Sequence, residues 1–210
     1  MIITRQKEFN DLLSSIGGRP VFIVGCSQCA TLCHTGGEEE ILAMKKALED
    51  KKVVVTGWVV LDPACHLQND KRLLRQHKDE VVKAEKILVL ACGNGVQTVS
   101  EILEDVDVIS GTDTLFLGEI KRSNEFEIRC VMCGECIQDL FGGICPVSRC
   151  PKEMLNGPCG GSIDGKCEVD PDIDCVWDVI YKRLKEKGQL QRLKEIRKPK
   201  DWSVEMRRTI

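Results

Sequence analysis

The chain has 210 residues, 42% of them hydrophobic, and a formal net charge of −3, enough to bury the core of one ordinary domain with a smaller appendage. Its apolar runs, such as Val53 to Leu61 interrupted by Thr56 and Gly57, reach about half of the roughly 20 residues that a membrane-spanning helix needs. The opening MIITRQKEFNDLLSS lacks the apolar stretch of an export signal, so the reading is a cytoplasmic protein with no membrane insertion.

In chain order, PVFIVG (Pro20 to Gly25) reads as a buried strand, and EEEILAMKKALED (Glu38 to Asp50) as an amphipathic helix whose acidic first turn suits its N-terminus. Val53 to Leu61 is a second strand, Asn69 to Ala84 a polar helix, and KILVLA (Lys86 to Ala91) a third strand. A helix from Val96 to Leu103 and a fourth strand opening at Val106 to Ile109 follow. The alternation predicts an α/β fold: a small Rossmann-like parallel sheet, residues 1–122. Composition then shifts to Cys, Gly and Pro, predicting a cysteine-rich iron-sulfur domain over 123–187 and a basic C-terminal tail, partly helical, over 188–210. Val176, Trp177, Ile180 and Leu184 share one helical face, and Gly188 is placed to end that helix.

Thirteen cysteines in a reducing compartment are metal or redox thiols rather than disulfide partners. RCVMCGEC places Cys130, Cys133 and Cys136 at Cys-x-x-Cys-x-x-Cys spacing, so that one loop offers three thiolates to one cluster face. Cys145 and Cys150 are each followed by proline, as the last cysteine of a ferredoxin motif is, and Cys159, Cys167 and Cys175 bring the count in this region to eight. Eight thiols suit two 4Fe-4S clusters, whose division between them the spacing leaves open. Paired structural zinc sites are the competing reading.

The remaining five, Cys26, Cys29, Cys33, Cys65 and Cys92, follow the carboxyl ends of the first three strands, where open parallel sheets bind ligands. The expectation is a third cluster or a zinc held by Cys26, Cys29, Cys33 and Cys92, with Cys65 to spare; a redox dithiol is the other possibility. His34 and His66 each follow a cysteine and are weaker candidates as ligands. CGNGVQT (Cys92 to Thr98) imitates a dinucleotide turn, but its third glycine is a threonine. No catalytic triad, phosphate-loop lysine or catalytic carboxylate pair is found.

From Lys182 onward there are eleven Lys or Arg against four Asp or Glu. With aromatics at 4% and no stacking platform, the expectation is no nucleic-acid partner; a solvated face or an arm for an acidic partner is the preferred reading.

The stretch LFGGICPVSRCPKEMLNGPCGGSIDGKCEVDPDIDCVWDVIYKRLKEKG resembles the family named for the C-terminal domain of methylenetetrahydrofolate reductase. GCSQCATLCHTGGEEE and ILVLACGNGVQTV look like the same family's earlier motifs. The resemblance implies a small iron-sulfur electron-transfer subunit of the kind found in acetogenic bacteria. Its implied partner is a TIM-barrel flavoprotein that carries the FMN and reduces 5,10-methylenetetrahydrofolate to 5-methyltetrahydrofolate in the Wood-Ljungdahl pathway of one-carbon metabolism. Such a hetero-oligomer leaves room for a further electron-input subunit, and the chain is an accessory part of an oxidoreductase with no complete active site of its own.

Overall fold

The computed structural model describes residues 1–122 and 124–204, in two compact units, Met1–Phe116 and the chain from Leu117 onward. The first unit opens with β1 (Ile2–Gln6) and α1 (Phe9–Ile16), then β2 (Val21–Cys26), α2 (Cys29–Leu32), α3 (Glu38–Asp50), β3 (Val55–Leu61), α4 (Leu67–Gln76), α5 (Lys78–Val81), β4 (Lys86–Leu90), α6 (Gly93–Ile102) and β5 (Asp107–Ser110). β6 (Thr112–Arg122) follows, and the division between the units falls inside it.

Four strands form a parallel sheet in the order β3-β2-β4-β5, with Ile23 beside Trp58 and Leu88, and Gly25 beside Val60 and Leu90. Because side chains alternate along a strand, Phe22, Val24, Ile87 and Val89 enter a core with Leu74, Val81 and Val99 of α4, α5 and α6. Val21, Ile23, Leu88 and Leu90 enter a second core with Leu12 and Ile16 of α1 and Ile41, Met44 and Leu48 of α3. Burial on both faces is why the strands read as continuous apolar runs. This is the doubly wound layer that the alternation predicts.

α3 spans the segment read from the sequence, and the Glu40 carboxylate accepts from the Gly37 N–H at 2.9 Å to secure its start. The single polar helix expected from Asn69 to Ala84 is instead two, because His77 leaves the helix at the end of α4. Its ring packs on Phe22, 5.9 Å between centroids, and pairs with Glu80 at 2.7 Å. β1 and α1 have no counterpart in the sequence reading. β1 shares a sheet of order β1-β6-β7.

In the second unit the far half of β6 pairs antiparallel with β7 (Glu125–Ile128), Gly118 opposite Ile128. After it come a 3-10 turn over Gln138–Phe141, α7 (Pro146–Arg149), α8 (Val176–Glu186) and a 3-10 turn over Leu190–Lys194. Phe141, Ile144, Val176, Trp177, Ile180 and Leu184 make a small core. Trp177 meets Phe141 edge to face at 5.4 Å and donates its Nε1–H to the Met154 carbonyl at 3.1 Å. α8 ends where Gly188, at φ 65°, turns the chain, and the Gln189 N–H caps the Leu184 carbonyl.

The described part of the basic tail folds back on its own unit. Arg192 donates to the Asp139 carbonyl at 2.6 Å, Asn156 and Arg197 exchange two hydrogen bonds through the Asn156 amide, and the Arg197 guanidinium lies 5.2 Å from the Phe141 ring centre. Among the described residues no helix is long and apolar enough to cross a membrane.

Candidate metal centres

Three adjacent strands of the first unit deliver thiols to one edge. Cys26 is the last residue of β2, Cys29 opens α2, Cys33 closes it, Cys92 caps the start of α6 directly after β4, and Cys65 lies in the loop after β3. These loops are tied to one another. The Ser27 N–H donates to the Leu61 carbonyl at 2.9 Å, and the Ser27 hydroxyl and Gln28 amide both donate to the Asp62 carboxylate. Those two hydrogen bonds hold Asp62 below the usual carboxylate range. On the other side the Cys65 loop touches the first turn of α6: a Cβ on Gly95 would stand 3.2 Å from both the Ala64 carbonyl oxygen and the Ala64 Cβ, which is why glycine occupies that place.

Local desolvation and the negative charges of Cys92, Cys26, Cys29 and Asp70 push the Cys65 thiol up, in that order of effect. Cys33 is not among those charges. Its buried Sγ instead donates to the Ile2 carbonyl at 3.7 Å, while the Ile2 N–H donates to Cys29 Sγ at 3.4 Å. His34 is exposed beside Glu40 at 3.7 Å, and His66 Nδ1 accepts from the Asn69 N–H at 3.3 Å to cap α4. Both histidines therefore have local partners. The Gly93 N–H, the first amide of the glycine turn, is taken by Thr114 Oγ1 at 2.7 Å.

The sequence reading passed over Asp70. Its side chain is fully buried, Oδ2 accepts from the His66 N–H at 3.2 Å, and Oδ1 has no partner. Burial, opposed by the His66 amide, pushes its carboxyl up. Nothing in the polar pattern of α4 distinguishes this aspartate from its solvated neighbours.

In the second unit Cys130, Cys133 and Cys136 lie on an irregular loop turned by Met132 at φ 55° and Gly134 at φ 79°. The Met132 N–H donates to Cys130 Sγ at 3.3 Å, the type of contact that steadies a thiolate. Cys145 and Cys150 flank α7, and Ser148 on that helix donates to the Arg129 carbonyl at 2.9 Å, which sets α7 beside the start of the Cys130 loop.

Cys150, Cys159, Cys167 and Cys175 line one small pocket together with Val176 and Trp177. Backbone bonds from Cys167 N–H to Ile173 and from Cys175 N–H to Gly165, at 3.1 and 2.8 Å, fix the backbone at two of these cysteines. Arg149 and Lys152 line the same pocket, and Lys152 pairs with Glu168. Desolvation first, and then the charge of Arg129, lower the Arg149 guanidinium from its usual range.

The two cysteine-rich regions are all-thiol donor sets, which suit soft metal centres rather than oxygen-seeking cations. Among the described residues no three Cys, His, Asp or Glu side chains gather closely enough to hold a single ion. A zinc held by four sulfurs at about 2.3 Å needs them within about 4 Å of each other. The ligands of a cubane each meet a different iron and stand farther apart than those of a single zinc.

Residues 109–203 match the family model described as methylene-tetrahydrofolate reductase C terminal. The match covers the cysteine-rich stretch and leaves residues 1–108 outside it. No curated protein gives a match to the chain.

Proposed function

We propose that the chain is the iron-sulfur electron-transfer subunit of a methylenetetrahydrofolate reductase, passing electrons to the FMN of a TIM-barrel partner; the match of residues 109–203 to the methylene-tetrahydrofolate reductase C-terminal family model supports this reading. That partner would reduce 5,10-methylenetetrahydrofolate to 5-methyltetrahydrofolate. The observation that carries the reading is the pocket lined by Cys150, Cys159, Cys167 and Cys175 inside the family segment.

These four thiols would hold one 4Fe-4S cluster, and Cys130, Cys133, Cys136 and Cys145 a second. When bound, such clusters accept and release single electrons. Cys150 and Cys175 act from the ends of α7 and α8, so two anchors are fixed by helices. Val176 and Trp177 keep water from the pocket, while Arg149 and Lys152 set positive charge against the thiolates. The exposed Ile163, Val169 and Ile173 interleave with Cys159, Cys167 and Cys175 along the chain, which offers a partner an apolar contact close to these ligands. Flavin and folate belong to the partner, since a TIM barrel alone takes about 200 residues or more.

The test is co-expression with the flavoprotein, size-exclusion of the complex, iron, zinc and sulfide counts, and anaerobic flavin reduction with and without this chain. Brown protein that speeds flavin reduction is expected. A colourless zinc protein that binds the flavoprotein and leaves that rate unchanged overturns electron transfer and makes the chain a zinc-stabilised scaffold.

A further inference from the structure

The second unit holds a cavity of about 350 Å³ that no cysteine lines, enclosed by the start of the tail, α8 and the loop before Cys159. We infer that it is a binding site for a small organic acid with a flat apolar body, whose charged end meets Arg192 and Arg197. The inference does not depend on the electron-transfer reading.

The walls account for the apolar body. Leu155, Pro158 and Leu193 line the cavity beside Tyr181, which is 48% exposed, while Phe141 and Trp177 line it from the small core and are almost fully buried. A cavity of this size, with apolar and aromatic walls and few polar groups, is the common form of a small-molecule site. A half-exposed tyrosine suits a flat ring laid against it.

Charge accounts for the acid. Arg192 donates to the Asp139 main-chain carbonyl at 2.6 Å, and Arg197 lies 5.2 Å from the Phe141 ring centre with its Nη2 buried and without a hydrogen-bond partner. Neither guanidinium pairs with a carboxylate among the described residues. The two carboxylates on the same lining serve other places: Asp178 Oδ2 stands 3.6 Å from where a Cβ on Gly165 would be, and Glu195 is exposed. A shielded guanidinium nitrogen with no acceptor is costly. Because the charge is shared across the planar group, a carboxylate against any open edge of Arg197 offsets it.

The position of Arg197 is set in advance. Its main-chain N–H and carbonyl are both held by the Asn156 amide, at 2.8 and 3.0 Å. The side chain takes no part in that hold, so changing it leaves the tail anchored and a bound acid need not order it.

The experiment is equilibrium dialysis of naphthoate against the full chain prepared anaerobically, with naphthylmethanol and naphthylmethylamine as neutral and cationic probes of similar shape. Naphthoate should bind with a dissociation constant on the order of 1 mM or tighter, about tenfold tighter than the alcohol, with the amine weakest. Arg197→Gln and Arg192→Gln should each weaken naphthoate by about tenfold and leave the alcohol as it was, which also shows that the cavity has kept its shape. Lys194→Gln removes a charge from the same turn without touching the lining, and should change nothing. Equal binding of the three probes to the wild-type chain overturns the proposal, and so does naphthoate binding that survives both arginine changes or falls as much in Lys194→Gln. The wild-type comparison needs no variant to fold.

Discussion

Lys200 donates from Nζ to the carbonyl oxygen of Glu135 at 2.6 Å, and its side chain is only 5% exposed. Glu135 lies between Cys133 and Cys136, so the tail delivers a buried positive charge to the loop that carries three thiols. A cation in that position favours the more negative, reduced form of a cluster held there. Lys200→Met should lower the reduction potential of this centre by an amount on the order of tens of millivolts, where about 59 mV is a tenfold change for one electron. A redox titration followed by electron paramagnetic resonance checks it, with iron content unchanged.

The proposed partition of the eight thiols makes a prediction about pairs. Cys159→Ser should cost one cluster, about four iron, and adding Cys167→Ser should cost nothing more. Adding Cys136→Ser to Cys159→Ser should remove the second cluster as well. If Cys159→Ser and Cys167→Ser deplete different clusters, the shared pocket is not a single cluster site.

Stability of the second unit rests on few apolar residues, and Ile180 is fully buried among them. Ile180→Ala should destabilise this unit by about 2 to 5 kcal/mol, the usual cost of such a truncation. Calorimetry should show the loss in one transition, with the sheet of the first unit melting as before.

Glu127 pairs with Lys121 at 2.7 Å and Arg129 at 3.1 Å. The hydrogen bond from Lys121, opposed by desolvation and aided by Arg129, lowers its carboxyl from the usual range. A depressed carboxylate stabilises the fold above its unfolded pKa, and that contribution fades as pH falls through the folded value. Glu127→Gln should therefore cost about 1 kcal/mol or less at pH 7, as half-exposed ion pairs do. Denaturant titrations of the two proteins should converge at acid pH, below the ordinary carboxylate range.

The first unit was largely legible because its strands are buried on both faces and its helices amphipathic. α3 and the buried face Val176, Trp177, Ile180 and Leu184 of α8 stand where periodicity put them. β1 was not, since five residues with Arg5 and Gln6 among them give a weak pattern, and its sheet partner β6 begins more than a hundred residues later. Cysteine spacing shows that thiols converge, but spacing along the chain does not say where each Sγ points. Cys33 extends the run from Cys26 and Cys29, and only the fold reveals the Ile2 carbonyl beside it. The burial of Asp70 is likewise a tertiary fact, hidden in a helix that reads as polar throughout.

β6 has a bearing on how this protein can be taken apart. It is one uninterrupted strand of eleven residues, and the division of the chain falls within it rather than in a glycine- or serine-rich spacer. Expressing the first unit alone by stopping after Arg122 would leave Gly118, Glu119 and Ile120 without their β7 neighbours, a bare strand edge of the kind that recruits other chains. Stopping after Phe116 removes that edge and keeps Thr112, whose hydroxyl meets the Ala91 carbonyl. For anyone separating the two halves, the shorter fragment is the one to clone.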